Sequence, residues 1–217
     1  MFADRVQAGR ALGEALTEEI SQEVSKTHNL VVIGLPRGGV PVAAEVARVL
    51  GAPLEVIGVR KLGAPGQPEL AIGAIGEGGV RVLNQALVDS LGVSEKQLSA
   101  VEKQEQRVLA ERLGAFRRGK TPLSLGDKLV IVVDDGFATG ATARAACLVA
   151  KAKGARRVVL AVPVAPRGEA ERFVEADRVV ALETPEPFYG VGAHYRDFGQ
   201  TTNDEVIALL DRPRADG

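Results

Sequence analysis

Two adjacent acids followed by a turn of small residues and threonines are the most informative part of this sequence. Asp134 and Asp135 end the hydrophobic run 130–133, and the next seven residues, 136–142, read GFATGAT. Carboxylates accept hydrogen bonds from the vicinal hydroxyls of a ribose and help to hold Mg²⁺. Backbone N–H groups at a helix N-terminus bind phosphate. The pattern therefore favours a ribose phosphate, although an ordinary strand-to-helix connection would also explain it.

A second turn has the same position relative to a strand and a helix. Pro36, Arg37, Gly38 and Gly39 follow the hydrophobic run 30–34 and precede a predicted helix. Such a turn offers backbone N–H donors, and the Arg37 guanidinium matches paired phosphoryl oxygens. Taken alone, a Gly-Gly pair between a strand and a helix is more often only a tight connection. Because the carboxyl ends of parallel strands share one edge of a sheet, a single ligand with two separated phosphate groups would contact both turns.

Together these residues resemble the type I phosphoribosyltransferases, whose phosphoribosyl pyrophosphate motif is a hydrophobic strand, two acids and a T-G-x-T turn. No Walker sequence G-x-x-x-x-G-K-[ST] is present. The resemblance implies that Asp134 and Asp135 bind the ribose and, with the substrate, Mg²⁺. It also implies a non-proline cis peptide at or next to Arg37. The residues that it places around the ribose 5-phosphate are Asp134, Asp135, Gly136, Phe137, Ala138, Thr139, Gly140, Ala141 and Thr142. Those that it places around the pyrophosphate are Pro36, Arg37, Gly38, Gly39, Arg60 and Lys61.

Arg60 and Lys61 open the Gly/Pro-rich stretch RKLGAPGQPE at residues 60–69, which predicts a mobile loop. Its opening is similar to the R-K-x-G that begins the catalytic loop of adenine phosphoribosyltransferases. The resemblance implies a catalytic set of Lys61, Arg37, Asp134 and Asp135. Alternatively, the two cations only solvate a strand end. The 6-oxopurine branch has an aspartate where this chain has Ala138, which argues against a hypoxanthine or guanine enzyme of the usual kind.

Aromatic residues are concentrated in one segment, ETPEPFYGVGAHYRDFGQ, at residues 183–200. We expect Phe188, Tyr189, His194 and Tyr195 to form a hood over a nucleobase, by ring stacking and contacts to the base edge. The alternative is a hydrophobic cluster that anchors the C-terminal part of the chain, with Phe198 and Tyr195 as its anchors. Both interpretations can hold together.

The elements that must position these residues alternate between strand and helix. This pattern predicts an α/β, Rossmann-like fold with a central parallel sheet flanked by helices. We expect a single domain over residues 1–217, with a core at about 28–182, a hood at about 183–200 that includes the N-terminus, and a long helical insertion at about 85–119. The predicted strands are 30–34, 54–59, 130–133, 157–164 and 178–182, with a hairpin at 71–75 and 80–83. The predicted helices are 2–25, 41–50, 94–118, 141–153 and 167–175.

The composition of the 217 residues sets the broad class of protein. The chain is 46% hydrophobic and 25% charged, with a net charge of −1, which gives no electrostatic reason to expect nucleic acid as a partner. The N-terminal residues predict an amphipathic helix and not a signal peptide. No apolar run has membrane-spanning length, and the single cysteine, Cys147, is expected to be buried. We therefore expect a cytoplasmic protein without a membrane partner.

The resemblance implies a function as well as a fold. It implies a homodimeric, Mg²⁺-dependent enzyme of nucleotide salvage that transfers the 5-phosphoribosyl group from phosphoribosyl pyrophosphate to a small nitrogenous base and releases pyrophosphate. The alternative is a regulatory protein of the same fold that senses phosphoribosyl pyrophosphate or a nucleotide and has little catalytic activity.

Overall fold

The computed structural model describes residues 1–20 and 29–212. Its helices and strands alternate along most of the chain. In chain order they are α1 (Arg5–Glu19), β1 (Leu30–Gly34), α2 (Gly39–Leu50), β2 (Leu54–Val56), β3 (Val59–Ala64), β4 (Gln67–Gly76), β5 (Arg81–Leu83), α3 (Gln85–Ser90), α4 (Glu95–Arg117), β6 (Leu129–Val133), α5 (Ala141–Ala152), β7 (Arg157–Val164), β8 (Arg178–Glu183) and α6 (Asn203–Leu210).

The predicted central sheet is confirmed: five strands lie in the order β2-β1-β6-β7-β8, and each adjacent pair is parallel. Every residue of β1 and β6 is buried. Alternate side chains of these two strands point to opposite faces, where one set packs with α1 and α2 and the other packs with α5. Burial on both faces explains why these strands are hydrophobic without interruption.

A second sheet replaces the mobile loop that the sequence predicted at residues 60–69. Strands β3, β4 and β5 are antiparallel, and the predicted strand 54–59 is divided between β2 and β3. Leu62 and Ile72 are buried and pack with Leu98 of α4. The glycines and prolines of this stretch concealed an alternation of inward and outward residues that is typical of a half-covered sheet.

Three other predictions need correction. The predicted helix 167–175 is a series of turns, in which Gly168 has a φ of 79°. The predicted helix 2–25 begins only at Arg5, where the Asp4 carboxylate caps it by accepting a hydrogen bond from Gln7 N at 2.8 Å. Residues 21–25 of that prediction lie outside the described part. The predicted helix 41–50 begins earlier, at Gly39.

The long helix α4 confirms the helix predicted at 94–118 and is tied to the core at its C-terminal end. Arg117 donates hydrogen bonds to Val56 O at 2.8 Å and to the Glu55 carboxylate at 3.2 Å. It also forms an ion pair with Glu77, which accepts a further hydrogen bond from Lys153, the residue that follows α5. Although α4 is long, none of the helices in the described residues is apolar enough to cross a lipid bilayer.

Candidate active site

The two turns predicted to bind phosphates lie side by side at one edge of the central sheet. Gly34 and Val133 are register partners at the ends of β1 and β6, and Leu35 N donates a hydrogen bond to Val133 O at 2.9 Å. A side chain on Gly38 would collide with the Asp135 carboxylate, and a Cβ on Gly39 would lie 2.7 Å from Val133 O. Glycine is therefore required at both positions for the first turn to approach the acids. The predicted cis peptide is present at Pro36–Arg37.

The acid pair lies at the centre of this edge. Asp134 Oδ1 accepts a hydrogen bond from the backbone N of Asp135 at 2.9 Å. Burial, followed by the charge of Asp135, raises the pKa of Asp134 well above its usual value. A ligand that donates hydrogen bonds to this carboxylate, or a cation bound beside it, would favour its ionised form.

Arg5 of α1 holds the second acid, a contact that the sequence analysis did not predict. Its Nε and Nη2 lie 2.9 Å and 2.8 Å from Asp135 Oδ2, and both side chains are largely buried. The same guanidinium donates to Gly199 O at 2.7 Å and lies 4.0 Å from the centre of the Phe198 ring. Nothing in the sequence distinguishes Arg5 from other arginines of an amphipathic helix, so only the folded chain reveals it.

The turn after the acids is open to solvent where a phosphate would bind. Ala138, Thr139, Ala141 and Thr142 are exposed, whereas Phe137 is buried against Phe173 with ring centres 5.8 Å apart. Gly140, with a φ of 69°, immediately precedes α5. The anchored Phe137 thus fixes the turn, and the backbone N–H groups at the start of α5 remain available to an anion.

The three predicted cations of the pyrophosphate site have different surroundings. Arg37 is exposed at the edge of a cavity of about 610 Å³. Arg60 lines the same cavity but forms an ion pair with Glu105 of α4 at 2.6 Å. Lys61 belongs to strand β3 and not to a loop. The opposite wall of the cavity comes from α4, which the sequence did not place near the site.

The predicted hood covers the β7–β8 end of the edge. Phe188 stacks on His194 with ring centres 5.6 Å apart, and Tyr189 is 83% exposed. His194 Nε2 is buried without a hydrogen-bond partner in the described part of the chain. Tyr195 is buried and donates its hydroxyl to Asp135 O at 2.6 Å.

The contacts of Tyr195 favour the anchoring interpretation for that residue and for Phe198. The two rings lie 4.9 Å apart, and the Tyr195 ring also packs on Phe2 at 5.6 Å. Burial raises the pKa of the Tyr195 hydroxyl, which keeps it a hydrogen-bond donor to the acid pair. The segment 183–200 is thereby attached to the acid pair through the Asp135 backbone.

Comparison with known proteins agrees with this geometry. A family model described as "Phosphoribosyl transferase domain" matches residues 3–195. The chain belongs to this family. A protein named "Putative phosphoribosyl transferase" occurs in each of two strains of Mycobacterium tuberculosis, H37Rv and CDC 1551, and both are 52% identical to this phosphoribosyl transferase domain over all 217 residues. The chain spans about half of their length, 48%.

A solved structure shares the fold closely. The crystal structure of TT1426 from Thermus thermophilus is 44% identical to this phosphoribosyl transferase domain, with a TM-score of 0.87. The match covers 96% of this chain and 97% of that one. The central sheet and the flanking helices are therefore common to both proteins.

The residues present fit a Mg²⁺ ion that takes most of its ligands from a substrate. Asp134 and Asp135 offer the hard oxygen ligands that Mg²⁺ prefers. Within residues 1–20 and 29–212, no cluster of three or more His, Cys, Asp or Glu side chains could enclose a metal. The two aspartates of this phosphoribosyl transferase domain would therefore hold Mg²⁺ only together with substrate oxygens and water.

Proposed function

We propose that this domain is a phosphoribosyltransferase that transfers the 5-phosphoribosyl group from phosphoribosyl pyrophosphate to a nitrogenous base and releases pyrophosphate. One observation carries the proposal: the Gly38 turn approaches the Asp135 carboxylate so closely that no side chain would fit between them. A ligand held by the acids would lie beside the backbone donors of both turns. Phosphoribosyl pyrophosphate has a diol between two phosphate-bearing ends, which matches that arrangement.

The order of the strands assigns the parts of the substrate to positions along the edge. The ribose would lie over the end of β6, where Asp134 and Asp135 accept hydrogen bonds from its hydroxyls. The pyrophosphate would lie at the end of β1, and the 5-phosphate at the start of α5. The base would lie at the ends of β7 and β8, next to the hood. A nucleophile that attacks from the face opposite to the leaving group requires this separation.

The proposed chemistry needs little covalent participation by the protein. Displacement at C1′ develops oxocarbenium character, so the leaving group must be neutralised and the ribose fixed. Arg37 and Lys61 would stabilise the negative charge of the departing pyrophosphate, while Asp134 and Asp135 would hold the ribose. Mg²⁺, when bound, would supply further neutralisation of the pyrophosphate oxygens.

The hood would hold the acceptor base. His194 Nε2 supports this role because a buried polar nitrogen without a partner gains stability when a ligand supplies one. Tyr189 and Phe188 would add ring contacts. We extend the proposal to a role in nucleotide salvage, a cytoplasmic location and a homodimeric assembly, as the family resemblance implies.

The deciding experiment measures pyrophosphate release from phosphoribosyl pyrophosphate and Mg²⁺ across a panel of free bases. A double variant, Asp134→Asn with Asp135→Asn, serves as the control because it removes both carboxylates at nearly constant size. Base-dependent release by the wild-type chain alone would support the proposal. Thermal stabilisation by phosphoribosyl pyrophosphate without release for any base would instead favour a sensor. A chain that shows neither stabilisation nor release would refute the site assignment.

A further inference from the structure

The cavity beside the pyrophosphate turn extends beyond it to helix α4. Pro36 and Arg37 of the first turn line the roughly 610 Å³ space, and Arg112 and Phe116 line it from α4. Thr142, at the start of α5, also reaches this space. The cavity lies at the β1–β2 end of the sheet edge, away from the hood. On the proposed function, on which this inference rests, that end receives the leaving group and not the base.

The charges around the cavity favour an anion. Its charged lining consists of Arg37, Arg60, Arg112 and Glu111. The Arg60 charge is already compensated by Glu105, and Glu111 lies 3.8 Å from Arg107, where both side chains are exposed. Arg112 has neither an ion pair nor a hydrogen bond with any residue of the described ranges. The carboxylate of Glu105 thus offsets the positive charge of Arg60. The positive charges of Arg37 and Arg112 are not offset in this way and can attract an anionic ligand.

We infer that Arg112 binds the departing pyrophosphate together with Arg37. Two guanidinium groups on opposite sides of one cavity would each bind a phosphoryl group through a planar pair of N–H donors. Arg112 would thereby bind the pyrophosphate in place of Arg60, which the sequence analysis had placed there. Helix α4 would then have a function, because it places the Arg112 guanidinium near the end of β1, where the pyrophosphate would leave.

The attachment of α4 supports this role. Arg112 lies five residues before Arg117, whose guanidinium is bound to Glu55 of β2 and to the backbone of Val56. Phe116 is buried and packs with Val56 and Val40. These contacts hold the end of α4 against β2, the neighbour of β1, and against the start of α2, which follows the pyrophosphate turn. Binding would therefore require movement of the Arg112 side chain only.

The test is the affinity of inorganic pyrophosphate, measured by calorimetry in the presence of Mg²⁺. We expect Arg112→Gln to weaken pyrophosphate binding by about tenfold or more, since a charged hydrogen-bonding partner is lost. Ribose 5-phosphate should bind unchanged, because its hydroxyls and phosphate would contact the acid pair and the start of α5, and not α4. Lys103→Gln is the matched control: it removes one positive charge from an exposed position of the same helix and should leave both affinities unchanged.

Each outcome decides a different point. Unchanged pyrophosphate affinity in Arg112→Gln, with a wild-type chain that releases pyrophosphate from its substrate, would reject the inference and leave the proposed function intact. A wild-type chain that binds neither pyrophosphate nor phosphoribosyl pyrophosphate would reject both. If Arg112→Gln loses both ligands, Arg112→Lys decides the matter: recovered pyrophosphate binding supports the contact, and no recovery overturns it.

Discussion

At the scale of single residues, Arg5 is the contact on which the geometry of the acid pair depends. It binds Asp135 through two nitrogens and is held in turn by Gly199 O and the Phe198 ring. A guanidinium in this position fixes one carboxylate rotamer. The second acid is thus oriented before a ribose arrives, which lowers the entropy cost of binding.

We expect Arg5→Gln to weaken phosphoribosyl pyrophosphate binding by about tenfold, equivalent to about 1.4 kcal/mol. The same change should lower the free energy of unfolding by about 1.5–3 kcal/mol, because a hydrogen-bonded charge pair is removed from a largely buried site. Calorimetry and urea unfolding measure the two effects. Arg10→Gln is the control: its partner is Glu45, its side chain is 57% exposed, and it should cost less than about 1 kcal/mol. Wild-type ligand affinity in Arg5→Gln would contradict this account.

A second residue prediction concerns Gly38. We expect Gly38→Ala to abolish detectable binding of phosphoribosyl pyrophosphate, since the new methyl group would occupy the position of the Asp135 carboxylate. Thermal shift with and without the ligand measures this loss. Gly114→Ala in α4 is the matched control, because no atom lies within 4 Å of the added methyl group and alanine favours a helix by about 0.5–1 kcal/mol. Retained binding in Gly38→Ala would show that the turn can move away from the acids.

At the scale of elements, the charge cluster around Glu77 joins α4 to the core. Its carboxylate lies between Arg117 and Lys153. Burial alone would raise the pKa of Glu77, but the hydrogen bonds from these two cations outweigh it and lower the pKa below its ordinary value of 4.5. The stabilisation is therefore fully present above pH 4.5 and is lost as the pH falls through the lowered pKa.

The lowered pKa of Glu77 leads to a prediction for the variant Glu77→Gln. The variant should unfold at lower urea concentration than the wild type at pH 7. The difference should shrink as the pH falls below about 4.5, because the carboxyl is protonated first in the unfolded chain and then, below its lowered pKa, in the folded protein. Urea titrations at pH 7 and at pH 3 measure it. Glu111→Gln, with a side chain 71% exposed, should differ little from the wild type at either pH. An equal deficit for Glu77→Gln at both pH values would mean that packing dominates and charge does not.

Some of the strands could be predicted from the sequence alone. Strands β1 and β6 were predicted almost to the residue, since burial on both faces leaves an unbroken hydrophobic run. The positions of the two turns were predicted with them, because they follow from where those strands end; their role in ligand binding stays a prediction. The hairpin predicted at 71–75 and 80–83 is confirmed by β4 and β5, although β4 begins earlier, at Gln67. Strand β3 was missed, because its burial depends on α4, which lies far along the chain.

Helix α6 was missed although it has a readable signal. Thr202 caps it, and Glu205 reciprocates by accepting a hydrogen bond from Thr202 N at 2.7 Å. This Thr-x-x-Glu capping box is a recognised helix start. The contacts of Arg5, by contrast, are made between distant elements, and no local pattern in the sequence indicates them.

At the scale of the whole molecule, we expect the core around Cys147 to unfold in a single cooperative step when urea is added. Burial raises the pKa of the Cys147 thiol to about 12, and α5 packs it against the central sheet. We expect no reaction with iodoacetamide at pH 8 in the folded protein, because a neutral, buried thiol is not nucleophilic. Labelling across a urea gradient, followed by mass spectrometry, should coincide with the unfolding transition seen by circular dichroism. Labelling before that transition would show that α5 opens locally.

The arrangement of a single domain with a hood and a helical insertion stays a prediction at this scale. The contacts of Arg5 and Tyr195 make it testable, as both join the N-terminal helix or the hood to the acid pair. Separate unfolding steps for hood and core would argue against it.

The strand order β2-β1-β6-β7-β8 has a practical consequence for protein engineering. It keeps the two sides of the proposed reaction apart, with the departing group at one end of the edge, the incoming group at the other, and the acids between them. A library that randomises positions 188, 189 and 194 would then search for new acceptors without touching the machinery at residues 35–39 and 112.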